Sequence, residues 1–163
     1  MTVSGRGWAK FERGFSPVGL AQISSVRVRR VNAESADAFG QVVQEGFGLP
    51  VATAKWFAAL SGRPGWHLYL AYDGAGAAFV QHSVAWFGID ATLNDYRRRG
   101  AQTALINRRI EDGRAARLLA FTAETGQPSA GQEAVHSSYS NYMRAGFTRA
   151  YVRANYSSHS RKG

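Results

Sequence analysis

Three strand-like segments crowd into residues 66–92. Trp66, Leu68, Leu70 and Tyr72 alternate with His67, Tyr69 and Ala71, and the segments 77–82 and 84–92 follow after short gaps. Gaps this short join antiparallel neighbours, because a parallel pair needs a crossover of about a dozen residues or more. Such a crossover comes next. A turn at 93–96 leads into a helix from about Gly100 to Ala115, rich in Ala, Leu, Arg and Gln, residues that favour helix. An apolar run, Leu118-Leu119-Ala120-Phe121, then marks a strand over 117–122. Strand, helix, strand places the last strand parallel to the one before the helix. These residues therefore demand a mixed sheet, antiparallel in most of its pairs.

The flanking segments fit an α/β (α+β) domain. Val26-Arg27-Val28-Arg29-Arg30-Val31 alternates as a strand with one wet face. Phe39, Val42, Val43 and Phe47 lie at helical spacing within 36–47, and 52–60 reads as a second short helix. The helix over residues 100–115 has apolar positions on two sides, so it is expected to contact two neighbours. A last helix over 132–145 ends at Gly146, a C-cap glycine, and one long strand, 147–156, follows. The expectation is about six strands, with helices on both faces. Residues 1–24, rich in Gly and Ser, are assigned to a loosely ordered extension, 25–157 to the domain and 158–163 to a basic tail.

The chain has 163 residues, enough for one domain. It has no cysteine, which excludes disulfides, thiolate zinc sites and a cysteine nucleophile; no metal is expected. No run approaches the roughly 18 apolar residues of a bilayer span, and the start has no secretory pattern, so the expected compartment is the cytoplasm, with no membrane partner. The net charge of +9 attracts anions: nucleic acid, an anionic surface or a phosphorylated small molecule.

The junction of strand and helix narrows that choice. The first amides of a helix lack intrahelical partners and carry partial positive charge, which makes an anion site. Gly100 lets an anion approach the main chain. Arg97, Arg98 and Arg99 add charge in a geometry suited to phosphate. No Gly-Lys-Ser/Thr follows, so this is not a Walker A loop, and the Gly-x-Gly-x-x-Gly spacing is absent.

The stretch Ala91-Thr92-Leu93-Asn94-Asp95-Tyr96-Arg97-Arg98-Arg99-Gly100-Ala101-Gln102-Thr103 resembles the acetyl-CoA motif of GNAT-superfamily N-acetyltransferases, Arg/Gln-x-x-Gly-x-Gly/Ala, departing from it at Gln102. Tyr142, four residues before Gly146-Phe147, matches a second family feature. The resemblance covers about residues 26–156. It implies a GNAT-like sheet splayed between strands 4 and 5, with acetyl-CoA as cosubstrate in the cleft. The pantetheine arm would pair with the backbone of Ile89, Ala91 and Thr92. The pyrophosphate would rest on Arg98, Arg99, Gly100, Ala101, Gln102 and Thr103, beside Arg97, with Ser138 close by. Val135 stands where the family often has asparagine. The family usually ends in two strands, whereas one follows Phe147 here; a partner chain or an upstream segment would supply the other, which points to a homodimer.

The implied activity is direct acetyl transfer to an amine of a small molecule or protein. By motif Tyr142 would protonate the leaving thiolate. For the base, Asp90, His82, Glu45, Glu124 and a water chain stay open, with Asp90 preferred on its strand position. Phe47, Trp56, Phe57 and Trp66 suggest an aromatic acceptor lining or an ordinary core. Two other classes remain: a non-catalytic CoA-binding module or truncated half of a larger acetyltransferase, and a nucleic-acid-binding protein. The last is motivated by the charge and by Tyr139, Tyr142, Tyr151 and Tyr156 among basic residues, and nucleic acid is the less favoured partner.

Overall fold

The computed structural model describes residues 2–15, 25–72 and 74–157. In chain order the elements are β1 (Thr2–Val3), β2 (Trp8–Gly14), β3 (Arg29–Arg30), α1 (Ala36–Phe47), α2 (Thr53–Ala58), β4 (Trp66–Ala71), β5 (Gly74–Gln81), β6 (Val84–Thr92), α3 (Ala101–Ala115), β7 (Ala120–Gly126), α4 (Ser137–Arg144), β8 (Thr148–Arg153) and β9 (Tyr156–Ser157). Seven strands form one sheet in the order β3-β4-β5-β6-β7-β2-β8, and β1 pairs with β9 in a separate ribbon. Among the described strands only β6 and β7 run parallel, joined through α3. The mixed, largely antiparallel sheet with helices on both faces follows the sequence reading.

Each face has its own core. Tyr69, Ala78, Phe87 and Phe121 pack under α3 and α4 with Leu105, Ile106, Ile110 and Tyr142. Leu68, Leu70, Ala75 and Ala77 pack under α1 with Phe39 and Val43. A reciprocal cap precedes α1: Asn32 accepts from the Ser35 amide while the Ser35 hydroxyl accepts from the Asn32 amide. Gly48 ends the helix in a left-handed conformation (φ 64°), where a Cβ would be strained. α3 is buried on two sides, against the sheet and against α4.

Four sequence expectations shift. Residues 8–14, placed in a loose extension, form a strand between β7 and β8, pairing antiparallel with both. Its inward positions are Ala9, Phe11 and Arg13; the inward arginine breaks the apolar alternation that marks a strand. This strand fills the place for which a partner chain or upstream segment was expected. β7 runs 120–126 rather than 117–122, because Arg117 turns the chain at φ 56° and burial alternates from Ala120 onward. α4 starts at Ser137, not 132, where the His136 ring accepts from the Tyr139 amide. The strand expected over 26–31 is regular only at Arg29–Arg30. Residues 16–24 and the tail 158–163 lie outside the described residues. Among the described residues no helix is long and apolar enough to cross a membrane.

Candidate active site

The site begins with a bulge in β6. Ala77 pairs with Gly88 and Ala75 with Ala91, so Ile89 and Asp90 together face the single residue Gly76. Ile89 sits at φ 57°, a genuine outlier for a β-branched residue. Bulges bend a strand and re-aim side chains. Here β6 parts from β7: the parallel pairing ends at Phe87↔Ala123, although β6 continues to Thr92 and β7 to Gly126. The bulge keeps Ile89 against the α1 core and turns Asp90 toward α3 and α4.

Asp90 is held there by a buried arginine. Arg109, on α3, is 1% exposed. Its Nη2 lies 2.7 Å from Asp90 Oδ1, its Nη1 donates to the Ala77 carbonyl at 2.8 Å and its Nε to the Leu105 carbonyl at 3.0 Å. The Phe87 ring covers the guanidinium at 4.7 Å. Gly76 makes room, since a Cβ there would come within 2.9 Å of Asp90 Oδ1. The Tyr142 hydroxyl donates to Asp90 Oδ2 at 2.5 Å. Tyr142 is fully buried, and burial, then the Asp90 charge, raise its pKa well above the usual tyrosine value.

Above this trio lies a cleft of about 1060 Å³ between the end of β6, the start of α3 and α4. Its floor includes Asp90, Ala91 and Thr92, and its wall is the turn Arg97-Arg98-Arg99-Gly100 with Ala101, Gln102 and Thr103. Arg98 (φ 62°) and Gly100 (φ 84°) are both left-handed, and the residue at the N-cap of α3 is Gly100 itself. Arg97 donates from Nε to the Thr92 carbonyl at 3.3 Å, and Arg99 stacks over Tyr96 at 5.2 Å. Ser138, Asn141 and Arg144 complete the wall from α4. Gln102 stitches the two helices: it donates to Ser138 Oγ at 2.9 Å and accepts from Asn141 Nδ2 at 2.8 Å. Arg144 in turn donates to Asn141 Oδ1 at 2.7 Å.

The residues singled out in the sequence therefore divide. Asp90, Ala91, Thr92, Arg97 to Thr103 and Ser138 line one cleft, whereas Ile89 faces the opposite core and Tyr142 lies behind Asp90. Among the candidate bases Asp90 alone lines the cleft. His82 is in the β5–β6 turn, at the other end of β6, Glu45 is exposed on α1, and Glu124 pairs with Lys10. Of the four aromatic candidates only Phe47 reaches the cleft; Trp66 packs against Phe79 and Trp86. Sequence reasoning missed Arg109, Asn141 and Arg144. Helical spacing carried the signal: Arg109 is seven residues from Gln102, and Asn141 is three from Ser138.

Neither a protein-family model nor a curated protein matches this chain. Solved structures do. A GCN5-related N-acetyltransferase from Sphaerobacter thermophilus superposes with a TM-score of 0.65 at 18% identity, over 92% of this chain and 49% of that one. A GNAT-family acetyltransferase from Colwellia psychrerythraea gives 0.65 at 17%, over 92% and 55%. An aminoglycoside acetyltransferase from an uncultured soil metagenomic sample gives 0.60 at 12%, over 82% and 97%. This chain, which spans about half the length of the first two, has the fold of the GNAT acetyltransferases.

Proposed function

We propose that the chain binds acetyl-CoA in the cleft at the start of α3 and transfers its acetyl group directly to an amine. One observation carries the reading: a glycine-led helix start flanked by arginines opens onto a strand edge freed by a bulge. The amides of Ala101, Gln102 and Thr103 suit a diphosphate, and the left-handed Arg98 and Gly100 turn the chain so that it curls around such a group. Arg97, Arg98, Arg99 and Arg144 supply charge. The β6 edge from Gly88 to Thr92, unpaired toward β7, suits an extended amide-bearing arm. The bound thioester supplies an activated acyl carbon.

The chain's own groups do the rest. The β6 backbone at the mouth of the splay orients the acyl carbonyl and stabilises charge on its oxygen. Asp90, the carboxylate on the cleft floor, takes the amine's proton, and its hydrogen bond from Tyr142 lets the pair relay a proton back toward the thiolate. Arg109 keeps both in place. A second reading, a CoA-binding module without turnover, draws support from the same contacts, since both Asp90 oxygens are already engaged. Base stacking by tyrosines loses support because Tyr139 and Tyr142 are buried.

Two measurements separate these readings. Coenzyme A at about 100 times its dissociation constant should stabilise the fold by roughly 2.7 kcal/mol. Gly100→Glu, which puts a carboxylate and a Cβ at the φ 84° position, should abolish that gain. Thiol release from acetyl-CoA with a panel of amines tests turnover; stabilisation without release leaves the binding module, and no stabilisation removes both.

A further inference from the structure

A further cavity opens on the sheet, lined by other residues than the cleft. It holds about 240 Å³ and lies where β7, β2 and β8 meet beside Trp86, lined by Lys10, Glu12, Glu124 and Tyr151 among others. Among the described residues no helix covers this part of the sheet on the α1 side: α1 packs on β4, β5 and β6, while α4 packs on the other face of β7 and β8. Thr122 and Glu124 alternate with the core residues Phe121 and Ala123, so they point to the uncovered side.

Lys10 is placed by register. It lies directly opposite Glu124 in the β2–β7 ladder, and the two side chains form an ion pair. Glu124 is the first residue of β7 beyond Ala123, the last to pair with β6. Glu124 thus sits at the mouth of the splay, and the Lys10 amine contacts its carboxylate from the neighbouring strand β2. An extended arm anchored at the α3 amides and following β6 from Thr92 to Gly88 covers about 13 Å at strand rise, which brings its far end level with Glu124 along β7.

We infer that Lys10 is a site of intramolecular acetylation, its Nζ taking the acetyl group of acetyl-CoA bound in the cleft with Glu124 as proton acceptor. This rests on the acetyl-CoA reading above. Glu124 takes one proton from the Lys10 ammonium. The free amine forms an N–C bond to the acyl carbon, the C–S bond breaks, and the sulfur leaves with the second nitrogen proton as coenzyme A thiol. The products are Nε-acetyl-Lys10, free thiol and a proton passed from Glu124 to solvent. Burial, then the charge of Arg153, lower the Lys10 pKa from the usual lysine value, which raises the share of nucleophilic amine. Acetylation removes the Lys10 charge and releases Glu124 from its ion pair.

The chain supplies its own control, because it has only three lysines, Lys10, Lys55 and Lys162, and Lys55 is exposed on α2. Purified full-length chain is incubated with acetyl-CoA, and acetylation is read by peptide mass spectrometry, with thermal stabilisation by coenzyme A measured in parallel. The expected result is acetyl on Lys10 ahead of Lys55, at a first-order rate that does not change with protein concentration. Glu124→Gln should slow labelling of Lys10 by roughly 100-fold and leave Lys55 unchanged. Stabilisation by coenzyme A without preference for Lys10 over Lys55 overturns the inference alone. No stabilisation and no label overturns the cofactor reading and this one with it. Should Glu124→Gln fold poorly, Glu124→Asp replaces it, and an unchanged Lys10 rate in a folded variant also overturns the role given to Glu124.

Discussion

Replacing Arg109 by Met tests the arrangement on which the site depends. The guanidinium is 1% exposed, and its ion pair with Asp90 at 2.7 Å crosses the β6 bulge. Met roughly preserves volume, so the change removes charge and two hydrogen bonds to main-chain carbonyls rather than opening a large cavity. Breaking one side of a buried ion pair costs about 3–5 kcal/mol, because the remaining charge stays buried without its partner. For a chain of this size that corresponds to a drop in Tm of roughly 6–20 °C. Asp90→Asn should cost several kcal/mol for the mirror-image reason. The double variant should recover at least about 2 kcal/mol relative to the sum of the singles, since neither uncompensated charge then remains. Urea unfolding followed by circular dichroism gives all four corners of the cycle. If Arg109→Met costs under about 1 kcal/mol, or the singles simply add, then Asp90 and Arg109 do not hold each other, and the account of the cleft floor fails.

Other consequences follow from the same structure. Phe11→Ala should cost about 3–5 kcal/mol, because Phe11 is buried against Tyr139 and Tyr142; a loss below about 1 kcal/mol in chemical denaturation would place residues 8–14 outside the core. Gly40→Ala brings a Cβ to within 2.2 Å of the Ala54 carbonyl oxygen, so it should destabilise the α1–α2 contact by about 1–3 kcal/mol, read as a lower Tm. Asp112 is partly buried, which by itself raises its pKa, but hydrogen bonds from Arg108, Tyr69 and Arg30 outweigh this and leave the pKa lowered. Its contribution to stability is therefore complete above the ordinary carboxylate range and lost as pH falls through the lowered pKa. The stability gap between the native chain and Asp112→Asn should accordingly shrink below about pH 4. Tyr142→Phe should keep the coenzyme A stabilisation and reduce thiol release; unchanged release would make Tyr142 a packing residue.

What the sequence disclosed and what it hid differ in physical kind. The order of elements over residues 36–115 was legible because it rests on local terms: alternation in 66–72, helical spacing in 36–47 and short gaps that force antiparallel neighbours. The turn before α3 was legible for the same reason, since Arg97 to Gly100 and the helix behind them are contiguous. β2 was not, because its meaning depends on β7 and β8, more than a hundred residues away, and because the inward position of Arg13 resembles a surface pattern until those partners are present.

The bulge is the sharper case. Along Val84–Thr92 the residues alternate well enough that nothing local separates a straight strand from a bulged one. The deciding residue lies on another strand: Gly76, whose missing Cβ leaves space for Asp90 and Arg109. Without the bulge, Ile89 and Asp90 would each move to the other face, burying a carboxylate under α1 and turning isoleucine toward Arg109. The Asp90–Arg109 ion pair is therefore what selects the bulged register, and the bulged register is what parts β6 from β7. It follows that Gly76→Val should damage the cleft more than its place in the middle of β5 suggests, with loss of coenzyme A stabilisation in a chain that still gives a cooperative unfolding transition. Retention of full stabilisation would show that the strands part without help from this contact.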